Sequence, residues 1–330
     1  MMRIPHQKMF EAFESILLNN GFTENVANDL ATVFAENSLE GVPSHGLNRF
    51  PDFIHLCKEG LLDKNATPKL ETSLGALEIW DGHSGPGICN AKKSMARAMD
   101  LATTHGIGCV ALKNTNHWMR GGTYGWQAAE KGFISINFTN ATALMVPFGG
   151  LEARLGNNPL VIAIPDATNG PLVLDMALSQ YSMGKVKNYK ASGQRLDFDG
   201  GYDEMGTITN DPEKIVASSR LLSIGFWKGT GLSLMLDLMC SLLSGGRTTA
   251  EISAAPLETN VSQIFICFSL KNENYNYADI IEKVRAFTLS SSNDNQVHLP
   301  GQNVKKLRAE NLQKGIPVDE KIWNSILTMI

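Results

Sequence analysis

"IGCVALKNTNHWMRGGTYGWQAAEKGFISINF", residues 107–138, reads as strand, loop, helix and strand. "IGCVAL" is a short apolar run with the composition of a buried strand. "YGWQAAEKG" is a short helical pattern that stops at Gly132. In "FISINF", Ile134, Ile136 and Phe138 alternate with Ser135 and Asn137, as a half-buried strand requires. Strands alternating with helices argue for an α/β core. The joining stretch "KNTNHWMRGGTYGW", residues 113–126, carries His117 and glycines at 121, 122 and 125. Loops at strand ends commonly hold the chemistry of α/β proteins. A turn histidine beside a packed tryptophan is the competing reading of His117.

The pattern continues on both sides. "GALEIWDG" (75–82), "PLVIAIP" (159–165), "PLVLDMA" (171–177) and "VSQIFICFSL" (261–270) read as further strands. Met95, Ala98, Met99 and Ala102 mark a helix ending at Gly106, and "GLSLMLDLMCSLLSGG" (231–246) is an apolar helix with a double-glycine stop. Residues 191–212 form a long polar, glycine-rich loop. Both chain ends read as helices. Phe10, Phe13 and Leu17 share a face that Gly21 terminates, and Thr23 is placed to cap a second helix bearing Val26, Leu30, Val33 and Phe34. Helical spacing returns at Leu307 to Leu312 and Ile322 to Leu327.

Bulk properties narrow the class. The chain has 330 residues, 43% hydrophobic and 19% charged, with net charge −4, which gives no global field for nucleic acid. No apolar run reaches membrane-spanning length. The opening "MMRIPHQKMFEAF" lacks an apolar targeting core, so the chain is read as cytoplasmic. Five cysteines, odd in number and without CxxC spacing, argue for buried thiols rather than disulfides or a zinc ribbon.

Three more stretches carry chemistry. In "PSHGLNRF" (43–50), Pro43 and Ser44 are expected to start and cap a helix, putting His45 and Arg49 at i and i+4 on one side. An imidazole can pass a proton near neutral pH, and a guanidinium can grip a carboxylate, a pairing suited to a 2-oxo acid. A surface histidine and an arginine paired with a local acid fit the same spacing. In "VLDMALSQYSMGKV" (173–186), Asp175 at a strand end suits a ribose hydroxyl, a histidine or the cap of the next helix. In "GFWKGTGLSL" (225–234), Trp227 and Lys228 precede Gly229 and Gly231 at a helix start. Free amides plus an ammonium make an anion site there, and a tight turn before a buried helix is the alternative. There is no G-x-G-x-x-G, P-loop, HExxH or GxSxG motif, and no metal-ligand spacing.

"SHGLNRF", "NHWMRGGTYGW", "GNNPL", "DMALSQYSMGKV" and "WKGTG" occur in this order across essentially the whole chain. Together they resemble the malate/L-lactate dehydrogenase family of NAD(P)H-dependent oxidoreductases that lacks a Rossmann fold. The resemblance implies an α/β fold with a non-Rossmann mixed β-sheet binding the cofactor, and a helical domain built from both termini. The expected division is 1–72 with 296–330 for the helices and 73–295 for the sheet, with a helical and loop insertion around 178–255. It also implies a homodimer, a small 2-oxo-acid substrate, and NADH, with NADPH as the alternative.

By the same resemblance His45 matches the proton donor and Arg49 a carboxylate ligand. His117 matches a second substrate-site residue that some relatives use as acid/base, and Ser44 is placed to orient substrate. The cofactor-lining segments match Pro171, Leu172, Val173, Leu174, Asp175, Met176 and Ala177, then Trp227 and Lys228, then Gly301, Gln302 and Asn303, with Asn140 in the "TN" segment. The chain departs at Ala141, where many relatives carry serine, and at "LPGQN", where many have an acid soon after Pro-Gly. Malate, lactate, ureidoglycolate and cyclic imino-acid activities, and a nicotinamide-binding protein without turnover, stay open at this stage.

Overall fold

In the computed structural model, which describes residues 2–271, 274–291 and 296–330, the chain begins with three packed helices. These are α1 (His6–Asn19), α2 (Glu24–Leu39) and α3 (Phe50–Lys58). The helical spacing puts Phe13, Leu17, Leu30, Phe34 and Phe50 fully inside. Phe13 and Phe50 stack at 4.2 Å, and Phe34 meets Phe50 edge-on at 5.1 Å. Each such ring contributes about 2–3 kcal/mol by burial. Gly21 ends α1 in the left-handed region (φ 82°). Thr23 holds the N-cap position of α2, but its side chain makes no capping bond, contrary to expectation.

The apolar runs pair into one seven-stranded sheet. Its strands are β1 (Lys69–Leu74), β2 (Leu77–Asp81), β3 (Ile107–Thr115), β4 (Phe133–Thr139), β5 (Leu160–Ile164), β6 (Leu172–Met176) and β7 (Val261–Ser269). The order is β1-β2-β3-β7-β4-β5-β6. Only β2 and β3 run parallel, so the sheet is mixed, as expected. The last strand in sequence is the central one. β7 is buried on both faces from Val261 to Phe265, where Ser262 and Gln263 are sealed in along with the apolar side chains.

On one side lie α4 (Gly87–His105) and α5 (Gly122–Ala129), where Met95, Ala98, Trp118 and Tyr124 pack with Phe265. On the other lies α6 (Trp227–Ser244), where Leu236 and Cys240 pack with Ala111, Phe138 and Ile264. The polar loop before α6 is partly ordered, with Gly201–Tyr202 pairing antiparallel to Ile208–Thr209.

Two elements carry no clear sequence signal. β1 is exposed at every position, so the sheet begins at Lys69, ahead of the expected boundary at 73. Helix α7 (Tyr277–Leu289) buries no residue and leaves Val284 and Phe287 in solvent. The expected 295–296 boundary borders residues 292–295, which lie outside the described residues.

The chain then returns to the first layer. After α8 (Gln302–Lys314), Ile316–Val318 pairs antiparallel with Met2–Ile4. Helix α9 (Glu320–Leu327) adds Trp323 and Ile326 to the core of α1–α3. Both ends therefore build one helical layer. Four cysteines are buried, Cys109 is half-buried, and all five are free thiols.

Candidate active site

Residues 43–50 do not form the continuous helix expected of them. Two single 3-10 turns, Pro43–His45 and Leu47–Arg49, flank Gly46, whose backbone (φ −119°, ψ −119°) breaks the helical path. The cause is α2. Ser38 Oγ donates to Phe34 O at 3.0 Å and accepts from Leu47 N at 2.8 Å, drawing the chain against the helix. A Cβ at position 46 would lie 2.2 Å from Ser38 Oγ and 2.8 Å from Phe34 O, so only glycine fits. Ser44 caps nothing. Its hydroxyl lies 3.1 Å from His45 Nδ1.

The loop after β3 brings the second imidazole. Asn37 Nδ2 donates to His45 O at 2.9 Å, and Asn37 Oδ1 accepts from Thr123 Oγ1 at 3.2 Å, strapping the two segments together. The His45 and His117 rings stack with centroids 5.8 Å apart and planes 29° apart. His117 Nδ1 accepts the Met119 N–H at 2.9 Å, so the proton of the neutral ring sits on Nε2. That atom faces Glu258 Oε1 at 3.9 Å, and Glu258 is held by Thr142 N at 2.8 Å. His45 Nε2 has no partner among the described residues. Neither Nε2 makes a hydrogen bond among the described residues, but His117 Nε2 has the Glu258 carboxylate nearby and His45 Nε2 has no such acid.

Both imidazoles are pushed down to about 3, first by burial, then by Arg49 acting on each and by His117 and Arg120 acting on His45. Between about pH 3 and the ordinary value of 6.5 the unfolded chain binds more protons than the folded one. The stability these rings contribute is therefore complete above 6.5 and is lost as pH falls toward 3. The slope is up to about 1.4 kcal/mol per pH unit for each ring. Urea melts from about pH 7 to pH 5 check this. His117→Gln is expected to flatten the loss, and an unchanged slope shows that the ring is not buried neutral.

Arg49 stands at the rim, 39% exposed and bonded to Asp52 Oδ2 at 3.1 Å. A second guanidinium, not singled out by sequence, is nearly sealed: Arg120 is 6% exposed and pairs with Glu40. Its Nε lies 3.8 Å from Asp175 Oδ2. Asp175 caps a helix, though not the one following it, since its Oδ2 accepts the first N–H of α5, Gly122 N, at 2.8 Å. Burial raises the Asp175 carboxyl, opposed by Arg120 and the Gly122 N–H. Glu40 Oε1 also binds Arg308 of α8 at 3.1 Å, tying both chain ends to the site.

The expected cofactor segments meet along edge strand β6. Val173 N donates to Pro300 O at 3.3 Å, setting Gly301 against its start. A Cβ on Gly301 would lie 3.2 Å from Val173 N and 3.3 Å from Trp126 Cζ2. Beyond the other end, Ile224 N donates to Leu178 O at 2.9 Å and brings up Trp227, which is 66% exposed. The strand itself, Leu172–Met176, spans on the order of 13 Å between these two contacts. Gly184, just past β6, is close enough to Ser44 that an added Cβ would touch its Cβ at 3.4 Å.

A cleft of about 550 Å³ runs from Asn37 and Thr123 past Trp126 to Lys305 and Arg308. Trp126 Nε1 is buried there without a hydrogen-bond partner among the described residues. A smaller hollow of about 130 Å³ lies at Pro171, Gly301, Arg285 and Lys305.

Two expectations do not hold. The amides of Lys228, Gly229 and Thr230 are taken by the carbonyls of Gly225, Ile224 and Phe226, so the start of α6 offers no row of free N–H groups. Asn140 is 1% exposed and gives its amide protons to Asp237 Oδ1 (3.0 Å) and Arg247 O (2.7 Å), while its Oδ1 accepts from Ser262 N (2.8 Å). It fastens strand ends and has no donor left for a cofactor. Gln302 Oε1 accepts from Leu299 N at 3.1 Å in the turn before α8, where Asn303 is exposed.

A family model described as malate/L-lactate dehydrogenase matches residues 4–327. The chain belongs to the malate/L-lactate dehydrogenase family. It is thus an oxidoreductase of a small substrate that uses a nicotinamide cofactor. Among this family's curated members, 2,3-diketo-L-gulonate reductase of Pasteurella multocida (strain Pm70) is 43% identical, over 99% of this chain and 100% of that protein. The Haemophilus influenzae protein of the same name is 41% identical with the same coverage. Malate dehydrogenase from Pyrococcus horikoshii OT3 superposes with a TM-score of 0.88 at 26% identity, over 99% of this chain and 94% of that one.

Proposed function

We propose that this chain reduces the C2 carbonyl of 2,3-diketo-L-gulonate to 3-keto-L-gulonate with NADH, the proton coming from His45. Two full-length relatives above 40% identity carry the name of that activity. The observation that carries the mechanism is the unpartnered Nε2 of His45, set between Ser44 and the stacked His117.

When bound, NADH supplies the hydride. The residues to hold it are Pro171–Ala177 and Gly301 along β6, with the Trp227 ring, Lys228 and the Trp126 donor. The carbonyl oxygen gains charge as C2 is reduced and needs a proton. Burial keeps the His45 ring neutral and pushes its proton affinity down, which makes it a weak base on its own. A substrate carboxylate entering beside it raises its proton affinity and makes it the acid for reduction. His117, anchored through Nδ1 and facing Glu258, orients rather than donates. Ser44 sets the His45 ring.

Arg49 at the rim holds the substrate carboxylate. Arg49→Ala is expected to raise KM for carboxylate substrates about 10- to 100-fold, the worth of charged hydrogen bonds of roughly 1.5–3 kcal/mol, with a smaller change in kcat. Steady-state kinetics decide, and an unchanged KM removes Arg49 from the site.

NADH is preferred in this reading because, among the described residues, no arginine cluster waits for a 2′-phosphate. Arg285, beside the smaller hollow, is paired with Asp166 at 3.4 Å. The working form is a cytoplasmic homodimer. Leu234, Met235, Leu238 and Leu242 of α6 lie exposed along one helix, a face that a second copy covers. No helix of the described residues is long and apolar enough to cross a membrane.

The test is oxidation of NADH by the purified chain with 2,3-diketo-L-gulonate, oxaloacetate and pyruvate in parallel. The highest kcat/KM is expected for the diketo acid. A higher value for oxaloacetate transfers the reading to malate, the activity named for the Pyrococcus structure.

A further inference from the structure

Arg120 is a buried cation with unused donors. Its Nη1 pairs with Glu40, and its Nε is 3.8 Å from Asp175, beyond hydrogen-bond reach. Its Nη2 has no partner among the described residues and is not among the polar atoms sealed from solvent. A guanidinium carries five donors in a fixed plane, and burying one with donors unpaired is costly. The surrounding loop is held rigid. Gly122 N is fixed on Asp175, Thr123 is strapped through Asn37 to His45, and a Cβ on Gly122 would lie 2.7 Å from Asp175 Oδ2. His117, three residues earlier, stacks on His45. The loop that carries Arg120 is thus fixed beside the imidazole pair, and its guanidinium is buried more deeply than that of Arg49.

We propose that Arg120 is the specificity residue of this site, its Nη2 donating to an oxygen on C3 of the substrate, so that 3-oxygenated 2-oxo acids are taken over plain ones. This rests on the reading that a 2-oxo acid is reduced at His45. A substrate with a bare methyl at C3 covers Nη2 without offering it an acceptor, the situation in which sites reject an analogue most strongly. The carboxylate goes to Arg49 and the C3 oxygen to Arg120, which turns the C2 carbonyl toward His45 Nε2.

The test compares 3-hydroxypyruvate with pyruvate, which differ by one oxygen on C3, in wild type, Arg120→Met, Arg120→Lys and Glu40→Gln. Wild type is expected to favour hydroxypyruvate in kcat/KM. In Arg120→Met that preference is expected to shrink at least about tenfold. Glu40→Gln breaks the same ion pair while leaving the guanidinium, and it is expected to keep the wild-type ratio within about threefold. Tryptophan quenching by NADH reports whether each variant folds. If Arg120→Met does not fold, Arg120→Lys, with charge but no planar fork, takes its place and is expected to lose at least about threefold in the ratio.

An equal fall for both substrates in the arginine variants, or a matching loss of ratio in Glu40→Gln, makes Arg120 a structural ion-pair partner and overturns the proposal. So does a wild type indifferent to the C3 oxygen. Failure to reduce 2,3-diketo-L-gulonate alongside a ratio that depends on Arg120 overturns only the named substrate.

Discussion

Replacement of His45 by glutamine is expected to cut kcat by about 10²- to 10⁴-fold, the usual contribution of a positioned acid–base group. Glutamine keeps a hydrogen-bonding group near Ser44 and comparable bulk, so the 3-10 turn and its neighbours stay in place. What it lacks is a proton to exchange. His117 is expected to substitute poorly, because its Nδ1 accepts the Met119 N–H and its Nε2 lies on the side of Glu258. The affinity for NADH, read by tryptophan quenching, is expected to change less than about threefold, since hydride transfer and cofactor binding draw on different residues. A variant that reduces substrate near the wild-type rate shows that the proton comes from elsewhere.

Gly46→Ala is the second large effect. The added Cβ meets Ser38 Oγ at 2.2 Å and both Phe34 O and Ser38 N at 2.8 Å. The helix backbone on that side cannot retreat, because Phe34 packs against Phe13 and Phe50. The 43–49 segment must therefore move outward, at a cost of about 1–3 kcal/mol in overpacking. His45 sits on the residue before the clash, and a displacement of roughly 1 Å at a reacting group can cost about 100-fold in rate. Thermal melts and kcat are both expected to fall. Adding Ser38→Ala removes the closest clashing atom and is expected to recover part of each loss. Wild-type melting and turnover in the single variant show that the close approach is dispensable.

The sheet was readable where a strand is half or fully buried. Alternation gave β4, apolar runs gave β5 and β6, and the long strand-like stretch at 261–270 gave β7. β1 escaped because its exposed residues follow no face, and α7 because nothing covers it. Chain order gave no hint that β7 lies at the centre, since that position depends on pairing with β3 and β4.

The site was legible in part. His45, Arg49 and His117 stand in short motifs that announce themselves. The helix assumed to carry the first two does not exist, because the spacing ignored how closely Gly46 approaches α2. Glu40 and Glu258 have no local signature. Each becomes meaningful only through a contact made across 80 or more residues, Glu40 with Arg120 and Glu258 with Thr142. Asn140 and the α6 amides looked available in sequence, but the fold spends them on its own bonds.

The pairing of Met2–Ile4 with Ile316–Val318 also sets a timetable for synthesis. Met2–Ile4 leaves the ribosome about 310 residues ahead of the strand it pairs with. At roughly 5–20 residues per second that lead is on the order of a quarter of a minute to a minute. Until then the aromatic faces of α1 and α2 lack Trp323 and Ile326, so the nascent chain carries an open, adhesive helical layer until those residues emerge.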